Sequence, residues 1–128
     1  MLKRHDPPDV QPPFSLYSQG VEAPPGLRWL HISGQVAINA DGSVPEGAEA
    51  QLEQIWGKIL HILESAGMGP HDLVKITAYL TRREDTAVFR QVRDRLLDGA
   101  KPASSMIIVA GLINPAWVAE IDAVAAAE

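Results

Sequence analysis

Cysteine is absent from the 128 residues, and that one absence removes disulfide stapling, thiolate nucleophiles, iron–sulfur ligation and cysteine-type zinc sites together. No run approaches the roughly 20 apolar residues that a bilayer crossing needs. Met1 to Asp6 lead into prolines rather than an apolar signal core, so a cytoplasmic protein without a membrane partner is expected. Basic residues are in deficit, 11 Lys plus Arg against 16 Asp plus Glu, for a formal charge of −5. Phosphate backbones call for a concentrated basic stripe, so no nucleic-acid partner is expected. The histidines His5, His31, His61 and His71 are scattered, with no pair at ligand spacing, and no metal site is expected. A Gly-x-Ser-x-Gly elbow, a phosphate-cradling glycine loop and a dinucleotide fingerprint are all missing. Any chemistry must rest on carboxylates, hydroxyls, amides, His, Lys or Arg.

What is present is a globular composition, 46% hydrophobic and 21% charged, in a length that suits one domain. Residues 1–13 hold Pro7, Pro8, Pro12 and Pro13 among charged residues and read as an extended arm, neither helix nor buried strand. Residues 14–128 are expected to form the domain. Arg28 to Val36 alternates, with Leu30, Ile32, Gly34 and Val36 on one face and Trp29, His31, Ser33 and Gln35 on the other. Leu52, Ile55, Trp56, Ile59, Leu60 and Leu63 recur at helical spacing up to the stop at Gly67. Leu73 to Leu80 reads as a strand. Glu84 and Asp85 open a second helix carrying Val88, Phe89, Val92 and Leu96, and strands follow over 103–112 and 116–126. With a short strand over 16–21, this order predicts an α+β layer in which two helices pack on one face of a mixed sheet.

The last strand places Glu120 and Asp122 on one face with Val118 and Val124. Open to water, that face is merely solvated; covered, a carboxylate among apolar neighbours becomes a candidate acid or base near neutral pH. Ser33, Ser104 and Ser105 read either as local hydrogen-bonders or as parts of a site. Tyr17 suits a core anchor or a phenol over a ligand. Arg82, Arg83, Arg90, Arg93 and Arg95 are expected to be solvated, with Arg93 and Asp94 on the flank opposite the Val88, Val92 and Leu96 stripe.

Five segments in order, Tyr17-Ser18-Gln19-Gly20-Val21, Ile32-Ser33-Gly34-Gln35-Val36, Asp72 to Thr81, Lys101-Pro102-Ala103-Ser104-Ser105 and Glu120 to Ala125, resemble the RidA (YjgF) family. The resemblance implies a chorismate-mutase-like α+β subunit, a homotrimer with small-molecule clefts between subunits, and hydrolysis of reactive enamines and imines such as 2-aminoacrylate to 2-keto acids and ammonia without cofactor or metal. It implies that Tyr17 and Ser33 line the cleft and that Glu120 handles the attacking water. The family's Pro-Ala-Arg-Ser supplies an arginine that clamps the substrate carboxylate, whereas Ser104 stands at that position here. Met106 makes the same wall more apolar, Ser105 offers a hydroxyl, and Arg93 falls near a family asparagine, where it could supply a relocated positive charge. Two functions are compatible with this pattern. One is a RidA-like deaminase with altered substrate preference; the other is a non-catalytic homotrimer whose clefts bind a small metabolite.

Overall fold

Alternation with period two puts Ile76, Ala78 and Leu80 on one side of a strand, and all three are buried. In the computed structural model, which describes residues 1–128, that strand is β4 (Leu73–Leu80), with β1 (Lys3–His5), β2 (Gly20–Glu22) and β3 (Arg28–Gln35) before it. After it come β5 (Ala103–Ile108) and β6 (Ala119–Ala127). The helices are α1 (Ala48–Ser65) and α2 (Thr86–Leu96). Four strands form a mixed sheet in the order β3-β6-β4-β5, with β4 parallel to β5 and antiparallel to β6.

Both helices lie on one face of this sheet, as the sequence predicts. Leu52, Ile55, Trp56, Ile59 and Leu63 of α1 are fully buried against Ile76, Ala78 and Ile121 of the strands. The C-terminus of α1 closes with paired hydrogen bonds, Met68 N–H to Leu63 C=O and Gly67 N–H to Glu64 C=O, each 2.9 Å. This turn needs a left-handed residue, and Gly67 supplies it with φ of 71°. Gln51 is the buried polar tie of the layer: its amide donates to the carbonyls of Pro45 and Ala116, and its Oε1 accepts from Val118 N–H.

Several boundaries depart from expectation. The arm is extended and exposed as expected, and beyond that expectation Lys3–His5 pairs antiparallel with Gly20–Glu22 as a two-stranded ribbon, the prolines lying in the connection between those strands. The strand expected over 16–21 begins at Gly20 and is preceded by a bridge from Ser18 to Ala103. β5 ends at Ile108 rather than 112, and β6 starts at Ala119. Residues between them are diverted into a loop, where Trp117 Nε1 donates to Ala37 C=O at 3.0 Å.

Arg93 is the largest correction. It is 3% exposed rather than solvated, because Phe89 shares the buried stripe of α2 and Arg93 lies one turn beyond it. Its guanidinium stands 5.6 Å from the Phe89 ring centroid and pairs with Asp94. Arg82 is also engaged, in a two-pronged pair with the buried Asp85. Arg95 meets Glu49 and Glu53 across the helices.

Candidate functional site

The candidate residues separate onto the two faces of the sheet. Ser104 pairs with Ile76, which pairs with Ala123, and Ile76 and Ala123 are buried against the helices. Ser104 and, by alternation, Met106 therefore face α2. The next rung, Ser105–Thr77–Asp122, points to the opposite, helix-free face, and Glu120 lies beside Asp122 on that face, paired with Tyr79.

On the helix side, Tyr17, Arg93, Ser104 and Met106 converge on a pocket of ≈ 270 Å³. Sequence reasoning missed the rest of its wall: Phe14 and Ser15 from the arm, and Phe89 and Arg90 from α2. The spacing of Phe89 and Arg93, four residues apart, carried the signal for the helix wall. The Tyr17 hydroxyl accepts from Phe14 N–H at 3.2 Å, and Tyr17 N–H donates to Ser15 C=O at 2.9 Å. These bonds hold the end of the arm at the pocket mouth and leave the phenolic proton free to donate.

On the open face, Glu120 packs over Gly34. A Cβ at position 34 would clash with the Glu120 carboxylate and come within 2.9 Å of its Cδ. Pairing between β3 and β6 shifts register between Ile32 and Gln35, so Ser33 and Gly34 form an irregularity beside that carboxylate. Further along, Tyr79 Oη donates to Asp122 Oδ2 at 3.1 Å. That bond, with the negative charges of Asp122 and Glu120, holds the phenol above its ordinary value of 10.0. Ser105 accepts from Lys75 Nζ at 2.8 Å, so this serine stands with the open-face polar residues and away from the pocket. Ile107, paired with Tyr79, and Trp29, paired with Ala126 in alternation with Asp122, lie on the same face, 45% and 51% exposed. No three His, Asp or Glu side chains stand close enough together to hold a metal ion, and no helix is long and apolar enough to cross a membrane.

The family model described as Endoribonuclease L-PSP matches residues 9–127, nearly the whole chain and all of the mixed sheet and both helices. The chain belongs to the RidA (YjgF) family. Within that family it is 32% identical over 115 residues to a RutC family protein of Pyrococcus horikoshii, covering 88% of each chain. It is 31% identical over 111 residues to a mouse protein named 2-iminobutanoate/2-iminopropanoate deaminase, covering 85% of this chain and 79% of the mouse one. Among solved structures, a Rid family protein of unknown function from Yersinia pestis superposes with a TM-score of 0.86 at 34% identity over 98% of both chains. The fold expected from the sequence, two helices on one face of a mixed sheet, is thus the RidA fold.

Proposed function

We propose that this chain hydrolyses the C=N bond of reactive imines and their enamine tautomers, giving a carbonyl compound and ammonia, in clefts formed between the subunits of a cytoplasmic homotrimer. The observation that carries this reading is the separation of the candidate residues. Glu120 and Ser33 lie on the open face, while Tyr17, Ser104 and Met106 line the pocket on the other. One small molecule can touch both sets only if a second copy brings its Glu120 to this copy's pocket. The open face suits such packing, since it exposes Trp29 and Ile107 beside small residues such as Thr77 and Ala103. The mouse relative's name, an imine deaminase, supports the reaction class.

In this scheme the Glu120 carboxylate takes a proton from water as the water oxygen adds to the imine carbon, and the C=N π electrons move to nitrogen. The same carboxyl then returns its proton to nitrogen, giving a carbinolamine. Its carboxylate next takes the hydroxyl proton and passes it to that amine nitrogen as the C=O bond forms and the C–N bond breaks, so that nitrogen leaves as NH3. Tyr17 and Ser33 orient the substrate by hydrogen bonding. Ser104 offers a hydroxyl where a strand arginine would clamp a carboxylate, so substrate anchoring differs from that of the arginine-bearing pattern. That same serine favours a second reading, a trimer that binds a metabolite without turning it over. Ammonia release from 2-iminobutanoate generated in the assay separates them. Turnover abolished by Glu120→Gln supports hydrolysis, and binding without turnover supports the second reading. Ribonuclease action, named in the family description, is disfavoured by the excess of acidic over basic residues.

A further inference from the structure

Arg93 is a buried cation whose donors are only partly used. Its Nε and Nη2 both donate to a single oxygen of Asp94, at 3.1 and 3.0 Å. Two of its five N–H donors are thereby satisfied, and Nη1 makes no hydrogen bond within the chain. Asp94 neutralises the charge incompletely, because its own side chain is 38% exposed and is screened by water. A second guanidinium, that of Arg90, lines the same pocket one turn earlier on α2 and makes no ion pair. No carboxylate lines the pocket, and Phe14, Phe89 and Met106 keep much of its wall apolar. Two cations beside apolar walls create a field that favours an anion and penalises a neutral guest of the same shape.

We propose that Arg93, assisted by Arg90, is the anion anchor of this pocket, so that the molecule held beside Ser104 carries a carboxylate. The proposal rests on the imine-hydrolase reading for the role of the pocket and adds the charge class of the substrate. It turns the altered preference implied by Ser104 into a geometric one. The carboxylate is gripped from the helix wall, and Ser104 and Met106 of the strand wall are left to face the uncharged part of the molecule. A planar guanidinium with a free Nη1 edge suits a carboxylate oxygen, and Ser104 Oγ can donate to the carbonyl or imine end.

The test compares binding of 2-oxobutanoate with that of 2-oxobutanamide, which has nearly the same shape and no charge, by calorimetric titration of the full chain in its solution assembly. Wild type is expected to prefer the acid by about ten- to a hundred-fold, the range of a charge-assisted hydrogen bond. Arg93→Gln should abolish the preference while leaving amide binding within about three-fold, and adding Ser104→Arg to that variant should restore it. A purely structural role for Arg93 would weaken acid and amide alike. Should Arg93→Gln fail to fold, Asp94→Asn, a change at the surface, is expected to strengthen the acid preference several-fold by releasing the guanidinium. Equal binding of acid and amide to wild type, binding of neither, or an acid preference untouched by Arg93→Gln or Asp94→Asn would overturn the proposal. An acid preference without any turnover of 2-iminobutanoate would leave the anchor standing and sink the hydrolase reading. Turnover with no dependence on Arg93 would do the reverse.

Discussion

Gly34→Ala isolates the position of the Glu120 carboxylate from the stability of the fold. The added Cβ would clash with the Glu120 carboxylate, lying 2.9 Å from Cδ and 3.2 Å from Cγ. Ordinary carbon contacts lie at about 3.5–4.0 Å. The carboxylate must therefore retreat by roughly 1 Å, and misplacement on that scale can cost on the order of a hundred-fold in rate. The fold should tolerate the change. Gly34 is exposed and does not use a positive φ, and the atoms in the way belong to the far end of a flexible side chain. Off-rotamer strain in Glu120 of about 0.5–1.5 kcal/mol is offset by about 0.4–1 kcal/mol from the stiffer unfolded chain. The assay follows ammonia and 2-oxobutanoate release from 2-iminobutanoate beside thermal melts of the same preparations. The expected pattern is activity lost by about two orders of magnitude with Tm within a few degrees of wild type. Activity at the wild-type level would refute the placement of Glu120 in the chemistry, and a large fall in Tm would refute the claim that the site and the fold separate here.

The buried amide of Gln51 gives a prediction about stability alone. Gln51→Ala leaves the carbonyls of Pro45 and Ala116 and the N–H of Val118 without their partner, a loss of about 2–4 kcal/mol that chemical denaturation should read directly. The raised pKa of Tyr79 predicts an alkaline effect. Its folded value lies above the unfolded one, so the Tyr79–Asp122 contact contributes fully below about pH 10 and is lost as pH rises through the folded value. In difference spectra against Tyr79→Phe at 295 nm, Asp122→Asn should move the tyrosinate transition back toward 10.0. Light scattering should give three times the chain mass, and Trp29→Glu, which puts a charge on the open sheet face, should shift the protein toward monomer and lower turnover with it.

The strand Leu73–Leu80 was legible in its length and in the buried alternation of Ile76, Ala78 and Leu80, which are local properties. The same holds for the apolar stripe of α1 and for the shared face of Glu120 and Asp122. The strand's first inward residue was not legible, since strict alternation would bury Val74 whereas Leu73 is buried, the pairing with β6 shifting register between Leu73 and Lys75. The burial of Arg93 was not legible either, since its flank follows from Val88, Val92 and Leu96 only when Phe89, which shares that apolar stripe, is given no more weight than Val88. Phe89 and Val92 are the buried pair, and they turn the buried face toward position 93. Nor was the irregularity at Ser33 and Gly34 legible, because strict period two has no place for an extra residue and register is set by pairing with β6. The ribbon formed by Lys3–His5 depends on a partner fifteen or more residues away, and the prolines between hide it. The split of Ser104 from Ser105 follows from alternation. What it means for the site emerges only when the helices are seen to cover one face and leave the other bare.

Subunit mixing tests most directly the claim that each site joins one copy's pocket to another copy's Glu120. Glu120→Gln keeps an intact pocket, and Ser104→Phe fills the pocket while keeping the carboxylate, so each variant alone should be inactive on 2-iminobutanoate. Unfolded together in equal amounts and refolded, they should form mixed trimers in which about a quarter of the sites pair an intact pocket with an intact carboxylate. Recovery of roughly that fraction of wild-type ammonia release is the predicted result. Mixed trimers with no activity above that of the separate variants would contradict it.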